Sequence, residues 1–391
     1  MTAATSSIAA TADRNDLELT AAAACEASRV AAVLAGLPTR QAWTELVALP
    51  SASRVMRASF TASRGDGAVL DAVAVIEGLG RGGIAPGLVY ALASQVFGIQ
   101  WPLAGLAGTF TDSIRDGIID GSIVLCHALT EDTGGSDPLS MTTHAETTAD
   151  TSFVLTGRKA YVTAAPIADR ALVFARTSPG RHPFALSAFL IPTDRAGVTV
   201  TKPFDKRAIP EIPMGALEFD GVRIEPEEVV APDGAGLAFL STTTTWERAL
   251  LMSYAVGTMY RTLEHAVEWA RTRHHFDRPM GSSPLVAARI ADMAMLAHRV
   301  RALVRDIASK VDSPARLTSI ASEAAMVKIS CAQDLLEFET TAGRLFGARS
   351  VIADSDVFSD LSGALAASIY AGTNDLLRIG VARDLSLPVE N

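Results

Sequence analysis

Five short stretches of the chain carry residue types that could do chemistry. HALTEDTGGSDP, from His127 to Pro138, leaves a run of strand character and turns through Gly134 and Gly135 into Ser136. Such a loop lets backbone N–H groups approach a phosphate or the edge of a planar cofactor, although an ordinary glycine turn has the same composition. In KAYVTAA, Lys159 to Ala165, Tyr161 and Thr163 are two apart and share one strand face. The ring could cover a planar cofactor and the hydroxyl reach its polar edge; a tyrosine in a sandwich core would read the same. WER, Trp246 to Arg248, reads as the opening of a long helix. The macrodipole alone, worth about 0.3–1 kcal/mol, would favour Glu247 in a first turn. RTRHHFDRP, Arg271 to Pro279, ends that helix with cations. Its adjacent histidines do not converge on one ion, so no metal site is expected. IYAGTND, Ile369 to Asp375, is a Gly-Thr turn before a last helix. Thr373 or Asn374 can cap that helix, and its N-terminus is a natural site for an anion or a carbonyl oxygen.

The elements that must hold these stretches follow from the hydrophobic pattern. The 391 residues suggest two or three domains; 49% hydrophobic and 20% charged residues exclude wholesale disorder. A net charge of −9 argues against a nucleic-acid face. Cys25, Cys126 and Cys331 are far apart, which excludes a disulfide framework and a cysteine zinc site. From Leu17 to Gly108 apolar residues recur at helical spacing, and ALASQVFGIQWPLAGLAG reads as a buried helix. From about Gly121 short β-branched runs alternate with turn signals such as SPG, TDRAG and FDG, as in a small sandwich or barrel. Beyond Leu237 long amphipathic helices return, with the lengths and short connections of a bundle. No apolar run reaches about 18 residues, so no membrane span is expected. The small, polar first dozen residues are expected to fray and show no secretion signal, so the expected location is cytoplasmic.

Taken in order, these stretches resemble the acyl-CoA dehydrogenase family of flavoproteins across nearly the whole chain. ALTEDTGGSD is similar to the family's ALTEPGAGSD, and RKAYVTAA to its K-x-W-I-T-N segment. The helix ending RTRHHFDRPMG, then ARIADMAM, resembles its R-x-x-F-G turn and LADM helix; IYAGTNDLLRIGVARDL resembles its terminal Y-[E/A/G]-G-T element. The resemblance implies a multi-domain α+β fold: an N-terminal α-helical domain (1–118), a middle β-sandwich or barrel domain (119–232) and a C-terminal four-helix bundle (233–391). It also implies FAD, a homotetramer or homodimer, and α,β-dehydrogenation of an acyl thioester on CoA or acyl carrier protein. Electron-transferring flavoprotein is the implied acceptor.

Residue by residue, the resemblance implies that Leu129, Thr130, Gly135 and Ser136 hold the flavin and its pyrophosphate. Tyr161 and Thr163 would flank the isoalloxazine ring. Arg273, Phe276, Arg344 and Gly347 would reach the FAD of a neighbouring subunit, and Thr373 and Asp375 would contact it near the last helix. Ser136, Arg248, Ala371 and Gly372 would meet the substrate. The usual base, the Glu of Y-E-G-T, is Ala371 here. Glu247 matches the position used by the isovaleryl- and long-chain-type branch, so it is the expected base. The N–H of residue 371 would still bond the thioester carbonyl. Asp277, Pro284, Arg344 and Ala348 depart from the family pattern where a neighbouring FAD is gripped, and His127 and Asp132 depart beside the glycine loop. Such divergence would suit a carrier-protein thioester of secondary metabolism. Two other readings remain open: a flavin-dependent monooxygenase on the same fold, and a non-catalytic flavoprotein.

Overall fold

The computed structural model describes residues 14–63, 65–106, 111–148, 152–231, 234–313, 317–352 and 360–389. The expected fraying of the first dozen residues lies outside them. Helices α1 (Arg14–Ala35), α2 (Thr39–Val47), α3 (Pro50–Thr61), α4 (Ala68–Arg81) and α5 (Pro86–Ala93) build the N-terminal region. The sequence of α4, AVLDAVAVIEGLGR, is buried over nearly its whole length, because it lies between α1 and the C-terminal helices. Small residues make this possible. A Cβ on Gly78 would fall 2.4 Å from the Thr20 carbonyl oxygen. Helix α5 runs on through a π-helical turn, Ser94–Gln100, into α6 (Trp101–Ala104), and α7 (Asp112–Ile119) follows. The expected buried helix is there; the wide π turn inside it was not legible.

The middle region is one sheet. In chain order its strands are β1 (Leu125–Ala128), β2 (His144–Thr147), β3 (Phe153–Thr163), β4 (Arg170–Arg176), β5 (Leu186–Pro192), β6 (Val198–Val200), β7 (Met214–Ile224) and β8 (Val229–Ala231). The spatial order is β6-β7-β3-β2-β4-β5-β8, with β1 parallel to β4. FDG does not end a strand as expected. Asp220 and Gly221 lie within β7, opposite a register shift in β3 between Leu155 and Gly157, and Gly221 takes the left-handed conformation (φ 61°). The extra residue is absorbed as a bulge rather than a turn. A second shift lies between Lys159 and Val162, where Tyr161 is also left-handed (φ 56°). The short strands β2 and β8 had no readable alternation.

The C-terminal helices are α8 (Gly236–Leu250), α9 (Ser253–Thr272), α10 (Pro284–Asp312), α11 (Ala321–Phe346), α12 (Leu361–Ala366) and α13 (Asn374–Asp384). WER does not open a helix: Glu247 sits in the last turn of α8, and a break at Leu251–Met252 separates α8 from α9. The Thr242–Thr245 run, which reads as low complexity, is helical, and each hydroxyl is satisfied by a carbonyl three or four residues back, at 2.7–3.2 Å. Helix α8 touches the π turn, β5, α10 and α11, so it lies where the three regions meet.

A buried ion cluster ties the N-terminal region to the C-terminal helices. The Glu77 carboxylate on α4 accepts from Arg301 Nε on α10 at 3.0 and 2.9 Å, with Arg81 and Arg305 within 3.8 Å. Arg305 also pairs with Asp16 on α1. Removing one partner of such a cluster leaves uncompensated buried charge, which costs about 3–5 kcal/mol. Glu77→Leu is expected to lower unfolding free energy by that amount in denaturant titration; a loss below about 1 kcal/mol would contradict the assignment.

Candidate active site

Two sets of the expected residues come together in one chain, and a third stands apart. The first set surrounds Glu247. Trp246 stacks on Trp101 (centroids 5.2 Å, planes 18° apart), which seats the last turn of α8 against the π turn. Gly98 of that turn lies beside the carboxyl: a Cβ there would be 3.8 Å from it, an ordinary contact. Burial pushes the Glu247 carboxyl up to about 7, against the opposing fields of Arg248 and Lys328. The helix macrodipole would not favour a carboxylate in a last turn, so it no longer accounts for this residue.

Arg248 Nε donates to the Ala371 carbonyl at 2.9 Å, so the two elements expected to meet substrate do touch. Ala371 and Gly372 are both left-handed (φ 55° and 92°), in a turn just before α13. Thr373 caps α13, its Oγ1 accepting from the Leu376 N–H at 3.3 Å. The Asp375 carboxylate accepts from Arg378 at 2.7 Å on the exposed side of α13. Tyr370 donates its hydroxyl to Tyr254 at 3.1 Å, and Tyr90 packs on both rings at 5.2–5.3 Å. Burial raises the Tyr90 phenol above its ordinary range, and the Glu247 carboxylate adds to it.

Tyr90, Gly98, Tyr254 and Lys328 had no role in the sequence reading. Lys328 was the one with a signal: MVKIS places a lysine between two core residues of an amphipathic helix, and it is 1% exposed.

The second set lies at the ends of β1 and β3. Glu131 and Gly134 close a tight turn by exchanging backbone hydrogen bonds at 3.0 and 3.1 Å. A Cβ on Gly135 would fall 2.5 Å from Thr130 Oγ1, so only glycine lets the loop fold back on Thr130. Ser136 is exposed, and among the described residues no protein acceptor takes the Gly135 or Ser136 N–H. Leu129 and Thr130 are half-buried beneath them. Buried Glu131 fixes the loop by accepting from the Thr142 N–H (2.7 Å), the Thr143 N–H (2.9 Å) and Lys159 Nζ (3.0 Å). Burial opposes its charge, but Lys159 and the threonine donors bring the carboxyl down to about 2. The bulge in β3 turns Tyr161 outward beside Phe204 (5.8 Å), while Thr163 adjoins the Tyr90 hydroxyl. Glycine cradle, free N–H groups, exposed aromatic platform and neighbouring hydroxyl fit a dinucleotide with a planar ring system. Asp132 pairs with Arg158, and His127 Nε2 meets Thr243 Oγ1 at 3.3 Å, so both departures beside the loop have structural partners.

The third set is at the other end of α9. Arg273 stacks on Trp269 (4.8 Å), and Phe276 is 88% exposed at the tip of a hairpin between His274–His275 and Arg278–Pro279. Phe276 and Asp277 are both left-handed, as a two-residue hairpin turn requires. Arg344 and Gly347 are exposed at the end of α11. None of these four touches the residues around Glu247 in this chain. Among the described residues no group of three or more His, Cys, Asp or Glu could hold a metal ion, and no helix is long and apolar enough to cross a membrane.

Residues 126–222 match the acyl-CoA dehydrogenase middle domain and residues 234–386 the acyl-CoA dehydrogenase C-terminal domain. An L-prolyl-[peptidyl-carrier protein] dehydrogenase of Pseudomonas fluorescens is 30% identical over 83% of this chain and 84% of its own length. The short-chain specific acyl-CoA dehydrogenase of rat mitochondria (Rattus norvegicus) is 29% identical over 68% of this chain and 64% of its own. The prolyl acyl carrier protein oxidase AnaB superposes with a TM-score of 0.86 at 24% identity, covering 96% of this chain and 100% of that one. With two domains matched and a relative at this identity over most of both chains, the chain belongs to the acyl-CoA dehydrogenase family of FAD-dependent oxidoreductases.

Proposed function

We propose that this protein dehydrogenates the α,β bond of a compact acyl thioester carried on an acyl or peptidyl carrier protein, with Glu247 as the base. The observation that carries the reading is the Glu247 carboxyl, raised to about 7 and held beside a turn whose backbone donors are free. A base poised near the working pH combines the right protonation state with useful driving force. The N–H groups of Ala371 and Gly372 are taken up by no protein acceptor among the described residues, so they can receive the thioester oxygen. Their hydrogen bonds would acidify the α-carbon, and Glu247 would take its proton. Bound FAD supplies the acceptor for the β hydride. Tyr161, Thr163, Gly135 and Ser136 are the residues that would hold it, with Leu129, Thr130, Thr373 and Asp375 around them.

The carrier assignment is supported by the prolyl-carrier-protein relative, and the compact acyl group by the walls of the site. Tyr90, Tyr254 and Tyr370 pack into one cluster beside Glu247, filling space that a long alkyl chain would need. Arg248, tied to Ala371, would face the pantetheine arm. Arg273, Phe276, Arg344 and Gly347 would meet the FAD of a second copy in a homodimer or homotetramer, which accounts for their exposure here. An electron-transferring flavoprotein or similar acceptor would reoxidise the enzyme in the cytoplasm. The monooxygenase alternative needs no base and leaves Glu247 unexplained.

Three outcomes are expected. Glu247→Gln should retain FAD and slow anaerobic flavin reduction by about 10²–10⁴-fold in stopped-flow measurements. Near-wild-type reduction would remove Glu247 as base. Because the base works deprotonated, the wild-type reduction rate should rise with pH through about 7 and level off above it. A flat profile between pH 6 and 8 would contradict that. Gly135→Ala should drive the loop off Thr130 and weaken FAD retention about 10- to 100-fold, read from flavin content after gel filtration, and Thr130→Ala should restore part of it.

A further inference from the structure

We infer that Tyr90 is a specificity-determining residue of this site, with Ser94 as a second hydroxyl beside it: together they select acyl groups that carry a nitrogen or oxygen on the α carbon over plain hydrocarbon chains. The inference rests on the dehydrogenase reading above.

Tyr90, Ser94 and Gly98 are four residues apart, so they line one face of α5 as it runs into the π turn. Both ends of that face meet Glu247. A Cβ on Gly98 would lie 3.8 Å from its carboxyl, and the Tyr90 phenol lies in the field of the carboxylate. Ser94 stands between them on the same face. It is half-buried, whereas every other residue from Gly87 to Leu103 is buried, and among the described residues its hydroxyl has no protein partner. The stretch PGLVYALA is otherwise apolar, so its tyrosine is the one side chain there with a polar atom to place.

The Tyr90 hydroxyl also adjoins Thr163, which would meet the flavin. A carbon that gives its proton to Glu247, and whose neighbour gives a hydride to a flavin, must lie within reach of both. The Tyr90 hydroxyl borders both, so it borders that carbon. Thr163 acts on the phenol as a donor does, and among the described residues no protein acceptor takes the Tyr90 O–H. Burial keeps the phenol protonated, so the O–H is a constant donor. The residue is 6% exposed, and its ring packs on Tyr254 and Tyr370 at 5.3 and 5.2 Å, so the hydroxyl cannot swing to solvent. A hydrocarbon acyl group would leave this O–H buried and unpaired, whereas a nitrogen or oxygen on the α carbon would accept it. Sites built around such a group discriminate strongly against the analogue that lacks the partner atom.

The test uses the FAD holoenzyme and three pantetheine thioethers, which have no carbonyl and so no acidic α proton. They are S-(pyrrolidin-2-ylmethyl)-, S-(tetrahydrofuran-2-ylmethyl)- and S-(cyclopentylmethyl)-pantetheine. The rings are alike in size and differ in one atom on the carbon that stands for Cα: N–H, O or CH₂. Binding is read from the flavin spectrum. Wild type should prefer the nitrogen or the oxygen ring to cyclopentane by about tenfold or more. Tyr90→Phe should lower that ratio by about threefold or more, with the loss on the heteroatom ligand. Ser94→Ala should lower it by a smaller factor, and an unchanged ratio there would remove Ser94 from the assignment. A structural role for Tyr90 would weaken all three ligands equally. If Tyr90→Phe does not hold FAD, Tyr90→Leu reads the same ratio. A wild-type ratio near one, an unchanged ratio in the folded Tyr90 variants, or binding of no ring would overturn the inference. None of these readings depends on flavin reduction, so a failure of the dehydrogenase reading, seen as no reduction by any thioester, is distinguishable.

Discussion

A carboxylate that must be poor enough in solvent to hold a proton near neutrality, yet stay ionisable, is the constraint on which this site depends. Burial alone would keep Glu247 protonated at neutral pH, and cations alone would leave it too weak a base. The chain sets the two against each other. Glu247 sits in the last turn of α8, walled by Tyr90 and Trp246, while Arg248 and Lys328 pull the other way. Each cation is also tied to the backbone of the 371–372 turn. The two cations that oppose burial at Glu247 are thus the same two that hold the backbone of this turn.

On the reading proposed here, Ala at residue 371 is tolerated because the turn keeps its backbone donors whatever the side chain there, and the carboxylate would come from α8 instead. Gly98 in the π turn lies beside it, and its helix is anchored by Trp101. The N-terminal helices, which carry none of the motif residues, therefore supply one wall of the pocket. The Glu77–Arg301 cluster keeps that wall on the bundle.

Much of the fold was legible because its signals are local. The alternating runs gave β3, β4 and β5, the long amphipathic runs gave α10 and α11, and Thr373, one of the two residues able to cap the last helix, caps it. What was misread depends on contacts distant in sequence. Glu247 reads as a helix start because the threonine run before it has weak helix propensity; packing against β5, the π turn and α11 extends α8 through it. FDG has turn composition, yet pairing with β3 keeps it within strand β7 as a bulge. The residues the motifs single out and the fold brings together, Arg248 and Ala371 next to Glu247, each lie in a contiguous signature. Tyr90, Tyr254 and Lys328 come from three separate helices and converge only in the folded chain.

The central claim is that Glu247 removes an α proton as a hydride leaves the β carbon of a carrier-bound acyl group. It is tested most directly by mixing FAD-loaded protein anaerobically with short acyl and aminoacyl thioesters, prolyl among them, on carrier protein and on CoA. The oxidised-flavin band is followed for unlabelled, α-deuterated and β-deuterated forms. The account predicts bleaching by a compact carrier-bound thioester, slowed by deuterium at both carbons. Bleaching by no member of the panel, or bleaching indifferent to deuterium at the α carbon, would contradict it.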